Sequence, residues 1–480
     1  MKSSHTSAPA LDTSFNENHS EISAVLGQRK SLAIHCSEAE NEYIILNNVR
    51  IYDFMHDGFP SIRIHPRTLH LCDESTSPTF IKTEIKLMST IEPTASTIDI
   101  APLFKPLTVR GLTIPNRIVM APMTRSFCPD GVPGQEIAGY YRRRAEAGTG
   151  LITTEAIGAD HPAALGDAGL GEKDLPELAG KSAIAGWKNV VDQVHSAGGK
   201  IIPQIWHQGA MRIQESSRHP DSPSISPSGI WGPLGRMTST DPRYFPSPEE
   251  PSKPPMTEED IEDVIEGFVR TARNAVSIGF DGIALHGGHG YLIDSFFWSE
   301  TNRRHDRWGG DIRRRMEFGV QLVKRIRAAI GEQKPIFFRF SQWKQQDFRA
   351  SLAASPQELE LVLGPLADAG VDLFDASVRY FNTPAFAGSE LTLAGWAKKL
   401  TGKLSGAVGG VGVGKGMYDT ANQGTVAINN LSLVAERFKR EEFDVVSVGR
   451  AMLDAPDWTR SARLGLPFKD YDFNSLNTLT

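Results

Sequence analysis

Short apolar runs recur along the chain from about residue 98, and longer segments with a helical period separate them. The eight runs are RIVMAPM (117–123), LITTEAI (151–157), KIIPQIWH (200–207), DGIALHG (281–287), PIFFRFS (335–341), DLFDAS (372–377), LSGAVGG (404–410) and DVVSVGR (444–450). Strands that are buried on both faces read as nearly continuous apolar runs, whereas half-exposed strands alternate apolar and polar residues. The pattern therefore predicts eight strands of a buried parallel sheet.

The segments between the runs carry helix signals. Residues 256–279 begin with Thr257 as the N-cap and have Asp260 three positions later, an acidic variant of the capping box. Residues 311–331 and 355–370 also begin at an N-capping residue and end at a glycine. A strand followed by a helix, repeated eight times, is typical of a (β/α)8 barrel.

The predicted fold is a single-domain α/β protein, a (β/α)8 TIM barrel over residues 98–470, with a C-terminal tail over 471–480. A long insert rich in Pro and Ser (208–255) follows the third strand and is predicted to be a loop or lid. In barrels of this kind, catalytic residues come from the C-terminal ends of the strands. Polar residues at those ends are therefore the first candidates for a functional site.

Residues 1–97 differ from the rest of the chain. They are rich in Ser, Thr, His, Glu and Asn, and their short apolar stretches lack a sustained period. We expect a disordered N-terminal extension, and we hypothesise that the working protein starts near Met88. A regulatory or targeting tail is the rival interpretation.

Composition excludes several classes of protein. The chain has 480 residues, 40% of them hydrophobic, and a formal net charge of −6, which gives no electrostatic reason to expect a nucleic acid or an anionic membrane as partner. It has three cysteines and no CxxC pair, which disfavours a disulfide framework and a Cys-rich zinc site. We expect a cytoplasmic protein that uses no structural metal.

The ends of the seventh and eighth strands predict a phosphate site. Gly409, Gly410, Gly449 and Arg450 lie there, and TIM barrels often bind phosphate after these two strands through backbone N–H groups. The alternative is a pair of tight turns and a surface arginine. The string GGVGVGKG (409–416) does not match a P-loop, because a glycine stands where Ser or Thr should bind Mg²⁺.

The stretch HGGHGY at the end of the fourth strand brings together His286, His289 and Tyr291. With His207 as a third ligand, the two histidines could bind zinc in a metal-dependent barrel hydrolase. Both could instead be packed core residues. The third interpretation is that two imidazoles donate N–H bonds to one substrate oxygen while the tyrosine supplies a proton.

Arg339 lies inside the apolar run PIFFRFS and should be buried. A buried guanidinium needs an anionic partner. A cofactor that becomes negative on reduction would supply one, and so would an internal carboxylate such as Glu155.

Taken together, these blocks resemble the Old Yellow Enzyme family of FMN-dependent ene-reductases. The resemblance covers roughly residues 98–467. It rests on the order and spacing of APLFKPLTVRGLTIPNRIVMAPMTR, QIWHQGA, GFDGIALHGGHGYLIDSFFWSETNRRHDRWGG, FFRFS, FDASVRYFNTPAF and VVSVGRAML.

The resemblance implies a role for each candidate residue. Pro122, Met123 and Thr124 would line the flavin, with the Thr124 hydroxyl near O4. Gln204 would bond the pyrimidine edge, and Arg339 would face N1 and O2. The ribityl phosphate would be held by Gly409, Gly410, Gly449 and Arg450. His286 and His289 would bind the substrate carbonyl oxygen and Tyr291 would donate the proton, within a pocket walled by Trp206, Phe381 and Phe386.

The implied reaction is the NADPH- or NADH-dependent reduction of an enone or enal, with FMN as cofactor. Family habits imply a place in secondary metabolism. A flavin-dependent isomerase on the same scaffold, or a flavin-binding protein that acts through partners, is the alternative. Monomer and homo-oligomer are both compatible with the sequence.

Overall fold

The computed structural model describes residues 99–480 except 168–171, 234, 236–249 and 416–424, together with the backbone of two N-terminal strands. The chain divides into two compact units, Met1–Thr94 and Ala95–Thr480. Strands β1 (Ile22–Leu26) and β2 (Lys30–Ile34) of the first unit pair antiparallel. The rest of the segment that was predicted to be disordered lies outside the described residues. The hypothesis of a start near Met88 lies outside the described residues.

The second unit is a closed eight-stranded parallel barrel, which confirms the predicted fold. Its strands are β5 (Ile118–Met120), β6 (Leu151–Gly158), β7 (Ile201–Trp206), β8 (Ile283–His286), β9 (Ile336–Ser341), β10 (Leu373–Ser377), β11 (Leu404–Val408) and β12 (Val445–Val448). They pair in chain order, and β12 closes the barrel on β5. Each strand coincides with one of the eight apolar runs.

The helices are α1 (Gln135–Glu146), α2 (Gly180–Ser196), α3 (Glu258–Ser277), α4 (Leu292–Phe297), α5 (Ile312–Arg315), α6 (Glu317–Ile330), α7 (Pro356–Ala369), α8 (Leu393–Thr401), α9 (Leu431–Lys439) and α10 (Trp458–Leu464). Thr257 and Asp260 form the reciprocal capping box that the sequence predicts for α3. The segment predicted as one helix over 311–331 is two helices that meet at Met316.

An antiparallel hairpin closes the N-terminal end of the barrel. It consists of β3 (Leu107–Val109) and β4 (Leu112–Ile114). Its apolar side chains form one buried cluster with residues from barrel strands: Val119, Leu151, Ile202, Ala284, Phe337, Leu373 and Val445, with Leu404 packed against it. The barrel is therefore filled at this end, which leaves the C-terminal end for a site.

Successive side chains of a strand point to opposite faces, so the residues two and four positions beyond this cluster also point into the barrel. The residues that this rule places inside, toward the C-terminal end, include Gln204, Trp206, His286, Arg339, Ser341, Asp375 and Ser377. Among the described helices, none is long and apolar enough to cross a membrane.

Candidate active site

The turn after β8 places three predicted residues side by side. The ring centroids of His286 and His289 lie 4.8 Å apart, and those of His286 and Tyr291 lie 5.0 Å apart. Trp206, at the end of β7, packs edge-on against Tyr291 with centroids 4.8 Å apart. All four side chains are at most 9% exposed. They form a compact, buried group at the C-terminal end of the barrel.

The segment that follows β9 holds this turn in place. Ser341 Oγ accepts a hydrogen bond from the His289 backbone N–H at 2.9 Å, and the Gln345 N–H donates to the His289 carbonyl at 3.0 Å. His289 has a left-handed φ of 65°, which is uncommon outside glycine and needs such support. Gly290 has a φ of 83°, and a Cβ there would lie 2.0 Å from Gln346 Oε1. Any other residue at position 290 would need a strained backbone and a shift of the Gln346 side chain.

A fully buried ion pair lies beneath the turn. Lys344 Nζ contacts both carboxylate oxygens of Asp294, at 2.6 and 2.7 Å, and both side chains are inaccessible to solvent. The second carboxylate oxygen also accepts the Gly290 N–H at 2.7 Å. Asp294 lies on α4, which begins directly after Tyr291. The ion pair thus connects the segment after β9 to the Gly290 backbone and to α4, the helix that follows Tyr291.

Burial keeps both histidines neutral. Burial and the nearby Arg339 lower the pKa of His286 to about 3, and burial, His286 and Arg339 lower the pKa of His289 well below its usual value. Burial and the carboxylate of Glu172 raise the pKa of Tyr291 well above its ordinary value. At neutral pH the site therefore contains two uncharged imidazoles and a protonated phenol.

His286 and His289 differ in their hydrogen bonds. Both ring nitrogens of His286 are buried and have no hydrogen-bond partner among the described residues. His289 Nε2 lies 2.8 Å from Ser377 Oγ, and its ring stacks on Trp343 with centroids 4.2 Å apart. A buried polar atom without a partner is costly. His286 is thus ready to donate a hydrogen bond to a bound molecule.

Arg339 is paired with Asp375, the facing residue of the next strand. Its Nε and Nη2 groups donate to one Asp375 carboxylate oxygen at 2.7 and 2.5 Å. An internal carboxylate thus pairs with Arg339, as one of the two alternatives had it, but it is Asp375 and not Glu155. Glu155 Oε2 accepts the Arg125 backbone N–H at 2.9 Å, and Glu155 Oε1 has no partner among the described residues. Arg339 also faces His286 on the other neighbouring strand. Arg339 therefore lies between Asp375 and His286 on the two neighbouring strands.

Glycines lie at the ends of β11 and β12, at Gly409, Gly410 and Gly449. Gly409 has a φ of 137°, and a Cβ there would lie 2.2 Å from the Val378 carbonyl oxygen, so no other residue fits. A Cβ at Gly449 would meet the sulfur of Met123 at 3.6 Å. Arg450 crosses toward the glycine-rich loop, where its Nη2 donates to the Lys415 carbonyl at 2.8 Å. Gly449 therefore lies next to Met123, a predicted flavin-lining residue, and Arg450 reaches the loop that follows Gly409 and Gly410.

The loop after β5 carries Pro122, Met123 and Thr124, which are half-buried. The following residue, Arg125, fixes this loop: its Nη2 donates to the main-chain oxygens of Ser475 and Thr478 at 2.9 and 2.5 Å. The C-terminal segment 471–480 therefore packs against the loop that carries the three predicted flavin-lining residues.

The three predicted pocket residues have different surroundings. Trp206 belongs to the histidine group, and its buried Nε1 has no hydrogen-bond partner in the described part of the chain. Phe381 is 2% exposed, and its N–H donates to the Gly409 carbonyl at 2.9 Å. Phe386 packs on Trp396 of α8 and lines a separate surface cavity of about 640 Å³ whose described lining contains neither histidine. The contacts of Phe386 thus give no support for a role in the pocket.

The described residues do not assemble the zinc site of the hydrolase alternative. His207 Nε2 lies 3.4 Å from His161 Nδ1, and its Nδ1 accepts the Gly209 N–H at 3.1 Å. In the ranges that the structure describes, no group of three His, Cys, Asp or Glu side chains could hold a metal ion. His207 is engaged elsewhere rather than aimed at the other two histidines.

The sequence analysis missed several residues that surround the turn. They are Trp343, Lys344 and Gln345 after β9, Asp294 on α4 and Asp375 on β10. The first three belong to SQWKQQ (341–346), which directly follows an apolar run. The rule that site residues follow strand ends applies to this segment, and it would have found them had it been carried beyond Arg339.

Comparison with known proteins agrees with this geometry. Residues 102–469 match the NADH:flavin oxidoreductase / NADH oxidase family. The chain belongs to this family. NADH oxidase from Thermoanaerobacter brockii is 32% identical over 368 residues, which are 76% of this chain and 51% of that protein. The chain thus spans about half the length of that relative.

Two other relatives are covered almost completely. NADP-dependent oxidoreductase lnbE from Aspergillus flavus is 31% identical over 386 residues, 78% of this chain and 93% of the relative. The solved structure of morphinone reductase in complex with tetrahydroNAD has a TM-score of 0.63 at 25% identity, covering 78% of this chain and 93% of that one. As a member of the NADH:flavin oxidoreductase family, the protein is an NAD(P)H oxidoreductase that uses FMN.

The residues at the C-terminal end of the barrel fit FMN. Unpartnered buried nitrogens of His286 and Trp206 face a region that also contains the Arg339 guanidinium. Gly409 and Gly449 lie at the ends of β11 and β12, where TIM barrels often bind phosphate through backbone N–H groups. A flavin and its phosphate need donors of these kinds, which makes the chemistry of the site and the family assignment consistent.

Proposed function

We propose that the protein reduces the activated C=C bond of an α,β-unsaturated ketone or aldehyde, with NADPH or NADH as the reductant. The observation that carries this proposal is the buried, neutral His286, whose ring nitrogens have no hydrogen-bond partner among the described residues, beside His289 and Tyr291. The two histidines can donate N–H bonds to the oxygen of a carbonyl compound and polarise it, and Tyr291 is a weak acid close enough to protonate it. Morphinone reductase, named for the reduction of morphinone, is a solved relative with this fold.

In this proposal, one set of residues binds FMN and a second set binds and protonates the substrate. Gln204, Arg339, Gly409, Gly410, Gly449 and Arg450 would hold FMN, and Pro122, Met123 and Thr124 would line it. When bound, FMN supplies a hydride that comes from the nicotinamide nucleotide. His286 and His289 donate N–H bonds to the substrate oxygen, so negative charge can develop there. Tyr291 gives its hydroxyl proton to the α carbon.

Uncharged imidazoles suit this role. A charged imidazole would bind any anion, whereas a neutral N–H polarises a carbonyl and gains strength as the oxygen becomes negative. The exclusion of water by Trp206 and the surrounding apolar residues strengthens these bonds. We place the reaction in the cytoplasm and in secondary metabolism, in line with the cysteine content and the family resemblance.

Purified protein tests this proposal directly. It should be yellow, bleach anaerobically with NADPH, and recover its colour when an enone is added, with the saturated ketone as product. A panel of cyclic and linear enones and enals would define the substrate class. A bleached protein that no member of the panel reoxidises would contradict the proposal, and an isomerised product without NADPH consumption would favour the isomerase.

A further inference from the structure

Gln345 contacts the hydroxyl group that the proposed reaction uses. The Gln345 side chain forms a hydrogen bond with the Tyr291 hydroxyl. The Gln345 backbone N–H donates to the His289 carbonyl at 3.0 Å. The residue before it, Lys344, is locked in the buried ion pair, and the residue after it, Gln346, donates from Nε2 to the Trp231 carbonyl at 3.0 Å. Gln345 is therefore held on a rigid segment beside the tyrosine.

Proton donation by Tyr291 leaves a negative charge in an unfavourable place. The side chain is 4% exposed, so water solvates the phenolate poorly. The carboxylates of Glu172 and Asp167 lie near enough to disfavour the phenolate further. The hydrogen bond from Gln345 acts in the opposite direction, because an amide N–H that donates to Oη favours the charged form.

We propose that Gln345 is a further catalytic residue: its amide N–H donates to Tyr291 Oη and stabilises the phenolate that forms during protonation of the substrate. In this step the Oη–H bond breaks, a C–H bond forms at the α carbon, and the electron pair stays on Oη. The β carbon receives the hydride from the reduced cofactor, and the phenolate later regains a proton from water. The inference rests on the proposed function, since it needs Tyr291 to be the donor.

A double-mutant cycle tests the inference in the holoenzyme. Wild type, Gln345→Leu, Tyr291→Phe and the double variant are reduced with NADPH and mixed anaerobically with 2-cyclohexenone while flavin reoxidation is followed. Hydrogen bonds to charged groups are strong, so Gln345→Leu should slow reoxidation about 10- to 100-fold, or about 1.4 to 2.8 kcal/mol. The same substitution should have less than about a twofold effect when Tyr291 is already Phe, because no phenolate then forms.

Gln342→Leu is the matched control. Gln342 lies in the same segment, but its amide contacts the backbone of Ala353 instead of the tyrosine, so its substitution should leave reoxidation unchanged. Gln345→Glu gives a second readout that keeps the size of the side chain. The reoxidation rate of this variant should fall as pH rises through the pKa of the new carboxyl, because the ionised carboxylate would then lie against the Tyr291 phenolate.

The outcomes separate the two proposals. If Tyr291→Phe reoxidises at the wild-type rate, the donor assignment in the proposed function fails. If Tyr291→Phe is slow but Gln345→Leu is not, only the role of Gln345 is overturned. Equal slowing by Gln345→Leu in both tyrosine backgrounds, or a pH-independent Gln345→Glu, would make Gln345 a structural residue and would also overturn the inference.

Discussion

Replacing Lys344 by Met should strongly destabilise the barrel, because it would leave the Asp294 carboxylate buried without its counter-ion. Burial already raises the pKa of Asp294 and lowers that of Lys344, and each charge is maintained by its partner. Both side chains have no exposed surface and their charged atoms lie 2.6 Å apart. Removal of one partner from such a pair costs about 3–5 kcal/mol.

The double variant Lys344→Met/Asp294→Leu should recover about half of this loss. An apolar pair of similar volume avoids the uncompensated charge, so only the orphaned Gly290 N–H remains, at about 1–3 kcal/mol. Urea unfolding followed by tryptophan fluorescence and far-UV circular dichroism measures both values. The exposed helical pair Lys188–Asp192 provides the control, where Lys188→Met should cost less than about 0.5 kcal/mol. A Lys344→Met variant as stable as that control, or a double variant no better than the single one, would refute this reasoning.

Three further predictions concern charge in and around the site. Burial raises the pKa of Glu155 from 4.5 to about 7, so the folded protein favours the protonated carboxyl and loses about 3 kcal/mol of stability as pH rises from about 4.5 to 7. The stability of Glu155→Gln relative to wild type should therefore increase by about that much between pH 5 and pH 8. A difference in urea midpoints that does not change with pH would contradict this. Asp375→Asn removes the carboxylate that neutralises Arg339, so the two-electron potential of bound FMN should rise by about 30 mV or more in a dye-linked titration, and an unchanged or lower value would show that Arg339 does not face the flavin. With a pKa of about 3, His286 stays neutral from pH 5 to 8. The pH profiles of the enone half-reaction in wild type and in His286→Asn should therefore have the same shape in that range; an inflection that is present only in wild type would contradict this.

The barrel was predictable because its strands are buried on both faces. Short apolar runs such as LITTEAI and PIFFRFS, when separated by helices with clear caps, are read as buried strands and not as parts of a buried helix. Strand ends then placed His286, His289 and Tyr291 at the correct end of the barrel. Their mutual contacts follow from one short turn, so local sequence was sufficient.

Features that depend on register between strands could not be predicted in the same way. Asp375 pairs with Arg339 because the two residues face each other across β9 and β10, 36 positions apart in sequence. The Lys344–Asp294 pair spans 50 positions, and neither residue carries a local signal for burial. Phe386 was assigned to the pocket only by resemblance, and its ring packs on Trp396 of α8.

The most direct test of the account is the rate of each half-reaction in Tyr291→Phe, measured by anaerobic stopped-flow absorbance of the flavin. Tyr291 donates a proton to the substrate and takes no part in hydride transfer from the nicotinamide. We therefore predict an unchanged rate of flavin reduction by NADPH and reoxidation by the enone that is slower by about 100-fold or more, within the range for loss of a general acid. Equal slowing of both half-reactions, or an unaffected enone reaction, would contradict the assignment of Tyr291 as the proton donor.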